Sequence, residues 1–169
     1  MRFFFTGFMG SGKSFWAKKL SKRLVIPYID LDEYIEAKEQ MTVAEIFTTK
    51  GEDYFRQYEN LCLKEIVSLH NHFILSCGGG TPCFYNNKKI MKALGKIIFF
   101  EVAIETLTVR LILKKAKRPL LQHIANEDVH SYIENLLLQR KTCYEDYDIK
   151  VDADLINETT FANILKEYV

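Results

Sequence analysis

Residues 7–14 read Gly-Phe-Met-Gly-Ser-Gly-Lys-Ser and fit G-x-x-x-x-G-K-[ST] at every fixed position. Such a segment captures the phosphates of a nucleoside triphosphate. Its glycines let backbone N–H groups approach phosphate oxygens with no Cβ in the way. A helix opening at the lysine turns its positive N-terminal end toward the same anion. Lys13 supplies a mobile charge for the β- and γ-phosphates, and the Ser14 hydroxyl is placed to ligate Mg²⁺. Gly10, Ser11, Gly12 and Phe15 complete the expected nucleotide set.

Four other clusters could do chemistry. Asp30 and Asp32 stand two apart at the end of a short strand, so both carboxylates can point the same way. Beside a phosphate loop, one can support the Mg²⁺ shell and the other can accept a proton from an attacking hydroxyl. The plainer alternative is a pair of solvated acids capping the next helix. Arg56 and Glu59 are three apart on a helix, where the carboxylate can fix the guanidinium for bidentate capture of a substrate carboxylate; a surface salt bridge is the alternative. Gly78-Gly79-Gly80 follows an apolar strand and exposes backbone N–H groups to a ligand, unless it is only a flexible turn. The basic stretch holding Lys114, Lys115, Lys117 and Arg118 reads as a lid that excludes water and brings an arginine to the transferring phosphoryl group. Nucleic-acid binding or a solvated charge run are its other readings.

The elements that must position these groups alternate. Strands are expected over Arg2 to Thr6, Pro27 to Leu31, Phe73 to Cys77, Lys96 to Val102 and Ile149 to Val151. Helices are expected over Lys13 to Leu24, Thr42 to Thr49 with a Thr42/Glu45 capping box, Glu52 to Leu69, from about Ile104, over Asp128 to about Tyr147, and from Thr159. This alternation predicts the α/β class: a three-layer α/β/α domain around a central five-stranded parallel sheet, with ligands at the carboxyl ends of the strands.

The 169 residues suit one domain, 1–169, with substrate-binding helices at about 31–60 and a mobile lid at about 112–125. With 23 Lys plus Arg against 22 Asp plus Glu, no bulk charge recommends nucleic acid or an acidic membrane as partner. No run has membrane-spanning length. Cys62, Cys77, Cys83 and Cys143 form no CxxC pair, which predicts reduced thiols in a cytoplasmic protein. His70, His72, His123 and His130 are scattered and read as surface residues, Trp16 as core filler and Cys77 as a small buried hydrophobe.

GFMGSGKS, D-x-D sixteen residues after Ser14, FRxxE, GGG after an apolar strand, RPLL at Arg118 to Leu121 and R-x-x-x-Y at Arg140 and Tyr144 together resemble the shikimate kinase family, in order along nearly the whole chain. The resemblance implies a P-loop NTPase fold of the nucleoside-monophosphate-kinase type. It implies transfer of the γ-phosphate of ATP to the 3-hydroxyl of shikimate, with Mg²⁺, by a monomer. Carried over, Asp32 would bind the shikimate hydroxyls and act as base, while Asp30 would support Mg²⁺ through water. Arg56 and Arg140 would clamp the substrate carboxylate, Glu59 would orient Arg56, and Gly79, with Gly78 and Gly80, would bind substrate through the backbone. Arg118 would close over the phosphates and Arg110 would pack on the adenine. Two departures stand out. Val151 to Glu158, VDADLINE, lacks the family's proline or arginine for adenine contact, and Thr-Cys-Tyr replaces the usual Pro-Leu-Tyr.

Three rivals remain at this level. Gluconate kinase shares a small P-loop fold but not the FRxxE plus GGG pairing. Adenylate kinase would need a second nucleotide site, and a non-catalytic regulatory module would have little use for Lys13, Ser14, Asp32 and Arg118 together.

Overall fold

The computed structural model describes residues 1–115 and 119–167. Among the described residues, β1 (Arg2–Gly7), β2 (Tyr28–Asp30), β3 (Phe73–Ser76), β4 (Lys96–Glu101) and β5 (Ile149–Asp152) form one sheet in the order β2-β3-β1-β4-β5. Every neighbouring pair is parallel. The helices are α1 (Lys13–Leu24), α2 (Leu31–Glu39), α3 (Val43–Leu69), α4 (Asn87–Leu94), α5 (Ile104–Leu113), α6 (Val129–Gln139), α7 (Lys141–Tyr144) and α8 (Glu158–Lys166).

The Phe3-Phe4-Phe5 run explains the layering. Successive strand side chains point to opposite faces, and a strand apolar on both faces needs a covering layer on each. Phe4 packs with Leu31, Ile35, Ile46, Leu63, Ile66 and Met91 of α2, α3 and α4. Phe3 and Phe5 pack with Trp16, Ala17 and Leu20 of α1 and with Phe161 and Leu165 of α8. Each such phenylalanine, buried in full, stabilises the fold by roughly 1.5–3 kcal/mol. A third cluster, built on Phe8, Leu107, Leu111, Val129, Ile133 and Tyr144, joins α5, α6 and α7 to the loop after β1.

The pairing register aligns Asp30 with Ser76 and Ser76 with Phe5, so β2, β3 and β1 end side by side. The 7–14 loop, the Asp30–Asp32 step and the glycine turn therefore leave the sheet at one edge, where ligands collect in parallel sheets.

The Thr42 cap forms as expected: its N–H donates to Glu45 Oε2 at 2.7 Å and its hydroxyl accepts from Glu45 N at 3.2 Å. The two helices expected on either side of Gly51 are both present, and α3 comprises the pair, separated by the non-helical backbone of Gly51 (φ 83°, ψ 168°). The helix expected over Asp128 to Tyr147 is instead broken at Arg140 into α6 and α7. There the Arg140 backbone leaves the helical region (φ −93°, ψ 3°), and its carbonyl accepts from the Cys143 and Tyr144 N–H groups to open α7. Helix α4, which carries Asn87 and Met91 into the interior, went unanticipated. Trp16 and Cys77 are buried, and all four histidines are exposed. Of the expected lid, Ala116, Lys117 and Arg118 lie outside the described residues; Pro119–Leu121 forms a short 3₁₀ turn.

A Cβ at position 51 would meet nothing within 4 Å, so only the backbone demands glycine there. Gly51→Ala is expected to lower stability by about 1–3 kcal/mol and the melting temperature by several degrees in a thermal melt. An unchanged melting temperature would mean that the kink relaxes at no cost.

Candidate active site

At the end of β1 the loop folds around its own lysine. Lys13 is buried, and its Nζ donates to Gly7 O (2.9 Å), Phe8 O (2.8 Å) and Ser11 Oγ (3.4 Å). The ammonium thus sits across the mouth of the loop, where a phosphate oxygen can replace a carbonyl. Gly12 opens α1 with no side-chain cap, leaving the first-turn N–H groups of α1 directed at the cleft. Phe15 is exposed at its rim.

Asp30 ties this loop to β2. Its Oδ1 accepts from Asp32 N (3.1 Å) and Glu33 N (3.3 Å) and so caps α2, while Oδ2 accepts from Ser14 Oγ (2.9 Å) and Tyr28 Oη (2.9 Å). One carboxylate therefore does both jobs that the sequence offered as alternatives, helix cap and partner of the phosphate loop. Ser76 Oγ, at the end of β3, lies 3.0 Å from Ser14 Oγ. Burial pushes the Tyr28 phenol up from its ordinary value, and the neighbouring Asp30 charge adds to the effect, so the hydroxyl stays a donor.

Across the cleft, Arg56 is buried and held by two carboxylates. Its Nε and Nη2 donate to Glu52 Oε1 (3.1 and 3.0 Å) and its Nη1 to Glu59 Oε2 (3.1 Å). The guanidinium also lies 4.2 Å from the centre of the Phe84 ring. Glu59 is wholly buried, and its other oxygen accepts from the Thr81 hydroxyl at 2.6 Å. Burial pushes the Glu59 carboxyl up, and Arg56, Thr81 and Arg140 pull it back. Asn87 Nδ2 donates to Thr81 O (2.9 Å), and Asn60 Nδ2 donates to Asn87 Oδ1 (2.6 Å), so the network is anchored on α4.

The glycine turn lies between these groups at contact distance. A Cβ on Gly80 would sit 2.6 Å from Arg56 Nη2, one on Gly79 3.2 Å from Met9 N, and one on Gly78 3.2 Å from both Asp32 Oδ1 and Glu59 Oε1. Gly79 O accepts from the Tyr144 hydroxyl at 2.7 Å, while burial pushes that phenol up to about 12. Arg140, at the α6–α7 break, is buried with its guanidinium beside Gly79.

Two cavities result. One, of about 590 Å³, is lined by Asp32, Arg56, Gly78, Gly79, Gly80 and Arg140 with an apolar wall of Val43, Phe47, Phe55 and Leu120. The other, of about 820 Å³, is lined by Gly10, Gly12, Lys13, Ser14, Phe15, Asp30, Arg110 and Lys114. Met9, Asp32, Gly78 and Gly79 line both, so the two are halves of one cleft. Arg110 donates to Gly10 O (3.3 Å) and Asp154 Oδ1 (2.9 Å), so the unusual 151–158 segment holds this arginine at the rim. Every predicted site residue among those described lines one of these halves except Ser11, which is buried beneath the loop; Arg118 lies outside the described residues.

Sequence reasoning missed Met9, Ser76, Tyr144 as a turn anchor, Glu52 and the apolar wall. Glu52 was legible as an i,i+4 partner of Arg56; Ser76 was not, because only the sheet register brings it to Ser14.

The shikimate kinase family model matches residues 9–169. The shikimate kinase of Bacteroides thetaiotaomicron is 37% identical over 158 residues, covering 94% of this chain and 90% of that protein. That of Dictyoglomus turgidum is 40% identical over 162 residues, covering 93% and 91%. Among solved structures, the Bacteroides thetaiotaomicron enzyme superposes with a TM-score of 0.89 at 35% identity, covering 99% and 97% of the two chains. Shikimate kinase from Acinetobacter baumannii in complex with shikimate superposes with a TM-score of 0.87 at 26% identity, covering 99% and 91%. A cleft with a phosphate loop on one side and a buried arginine pair on the other, on a chain matched from Met9 to its last residue, belongs to the shikimate kinase family of ATP-dependent kinases.

Proposed function

We propose that this chain transfers the γ-phosphate of ATP to the 3-hydroxyl of shikimate, giving shikimate 3-phosphate and ADP on the way to chorismate and the aromatic amino acids. The observation that carries this is the shared boundary of the two cavities at Asp32 and Gly79, where an acceptor hydroxyl and a terminal phosphate can meet. Arg56 and Arg140 clamp the acceptor carboxylate, with Glu52 and Glu59 holding Arg56 in place. Asp32 orients the attacking hydroxyl and takes its proton. Gly78, Gly79 and Gly80 bring backbone close to the acceptor. The 7–14 loop, Lys13 and Phe15 hold the triphosphate, and Arg110, tied to Asp154, borders the nucleobase end. Arg118 would stabilise charge on the transferring phosphoryl group, a role in which an arginine contributes roughly 10³-fold or more in rate.

Oxygen donors around Ser14, Asp30 and Ser76 suit a hard cation. Among the described residues no group of His, Cys, Asp and Glu could hold a metal alone. The residues fit Mg²⁺: Ser14 would ligate it and Asp30 would support it through water. When bound, Mg²⁺ neutralises charge on the β- and γ-oxygens. We place the reaction in a monomeric, single-domain enzyme of the cytoplasm with small molecules as its only partners; among the described residues no helix is long and apolar enough to cross a membrane.

Incubation with ATP and Mg²⁺ should release ADP when shikimate is added and not when gluconate is added. No shikimate-dependent ADP at millimolar substrate would sink the proposal. Asp32→Ala should lower kcat by about 10²–10⁴-fold with ATP affinity little changed; an equal collapse of ATP affinity would move Asp32 to the nucleotide side. Arg140→Ala should raise the KM for shikimate by about 10–100-fold, for a charge-assisted bond of roughly 1.5–3 kcal/mol. Arg56→Ala should do the same and also lower stability by about 3–5 kcal/mol, because it leaves Glu59 buried without its cation. Unchanged KM values in both variants would contradict the clamp.

A further inference from the structure

We propose that Tyr28 is a positioning residue for phosphoryl transfer: its hydroxyl holds Asp30 against Ser14, so that the carboxylate stays one shell away from the cation. This rests on the Mg²⁺ reading above. Tyr28 and Asp30 are the first and last residues of β2, two apart, and so share a face of the strand. That places Tyr28 Oη 2.9 Å from Asp30 Oδ2. The ring is fixed on its own account, packed against the α1/α8 side of the sheet with Lys18 Nζ 5.3 Å from its centre. Tyr28 lines neither half of the cleft, so it does not touch a substrate itself.

A carboxylate has about four acceptor positions. Those of Asp30 are filled by Tyr28 Oη, Ser14 Oγ, Asp32 N and Glu33 N. The backbone pair belongs to the first turn of α2 and moves only with that helix, which leaves the Oδ2 side to decide how the carboxylate rotates. A serine hydroxyl has one proton and two acceptor positions. Ser14 gives its proton to Asp30, so Ser76 is the donor in the 3.0 Å contact between the two serines. One Ser14 lone pair is then left for a cation. Without the Tyr28 hydroxyl, Oδ2 gains an open position, the carboxylate can turn from Ser14, and the direction of that lone pair is no longer set.

The test is calorimetric titration of ADP with and without Mg²⁺, alongside the Mg²⁺ dependence of kcat, for wild type and Tyr28→Phe. Tyr28→Phe should need on the order of 10-fold more Mg²⁺ in both measurements, the usual cost of losing an outer-shell partner. Its affinity for ADP without Mg²⁺ and its KM for shikimate should stay at the wild-type values, which a general loosening of the site would not allow. Replacing Tyr28 with 4-aminophenylalanine keeps a donor at the same place and should restore the wild-type Mg²⁺ dependence; 4-methylphenylalanine fills the space without a donor and should not. That second pair also decides the matter if Tyr28→Phe folds poorly. Wild-type Mg²⁺ dependence in Tyr28→Phe, or equal behaviour of the two para-substituted variants, overturns the inference. A wild type whose ADP binding and turnover ignore Mg²⁺ overturns the cofactor reading, and the role of Tyr28 with it.

Discussion

A Cβ at position 80 would sit 2.6 Å from the Arg56 guanidinium, closer than any real side-chain carbon approaches, and the rest of the acceptor half is arranged around that contact. Arg56 can be buried only because Glu52 and Glu59 neutralise it and Phe84 covers it. Glu59 can be buried only because Arg56 and Thr81 satisfy both of its oxygens. Thr81 is in turn fixed through Asn87 and Asn60. Uncompensated burial of a carboxylate would cost several kcal/mol, so each link depends on the next. The glycine turn is what lets the chain of contacts close: it is packed backbone with no room for side chains.

The same turn couples the two halves of the cleft. Gly79 lies against Met9 of the phosphate loop and Arg140 of the α6–α7 break, and Tyr144 ties down its carbonyl. Residues 128–147 carry a helical pattern, but the helix breaks at Arg140, whose backbone stands at φ −93°, ψ 3°. Its carbonyl accepts from the Cys143 and Tyr144 N–H groups as α7 opens. Arg140 and Tyr144 are four residues apart and so share a side of the chain, from which both reach Gly79.

The nucleotide half is less dependent on buried charge. Strand register sets it, by bringing the ends of β1, β2 and β3 together so that Ser14, Asp30 and Ser76 share one set of hydrogen bonds. At its outer rim, Asp154 holds Arg110.

Much of the molecule was legible in the order of its residues. The phosphate loop, the Thr42 cap, the five strands and the alternation that makes the sheet parallel are local signals, carried by spacing within a few residues. Arg56 with Glu59 was legible for the same reason, as an i,i+3 pair. What the residue order could not decide were distances across the fold: that Ser76 meets Ser14, that Tyr144 and Arg140 meet Gly79, and that Asp30 both caps a helix and serves the loop. Those pairings join residues between 16 and 65 positions apart, or need one group to satisfy several partners at once. The periodicity of a single element carries no information about which neighbour it will face. Only the packing of the sheet against its two helical layers selected among them, because a buried polar group without a partner would have been too costly to keep.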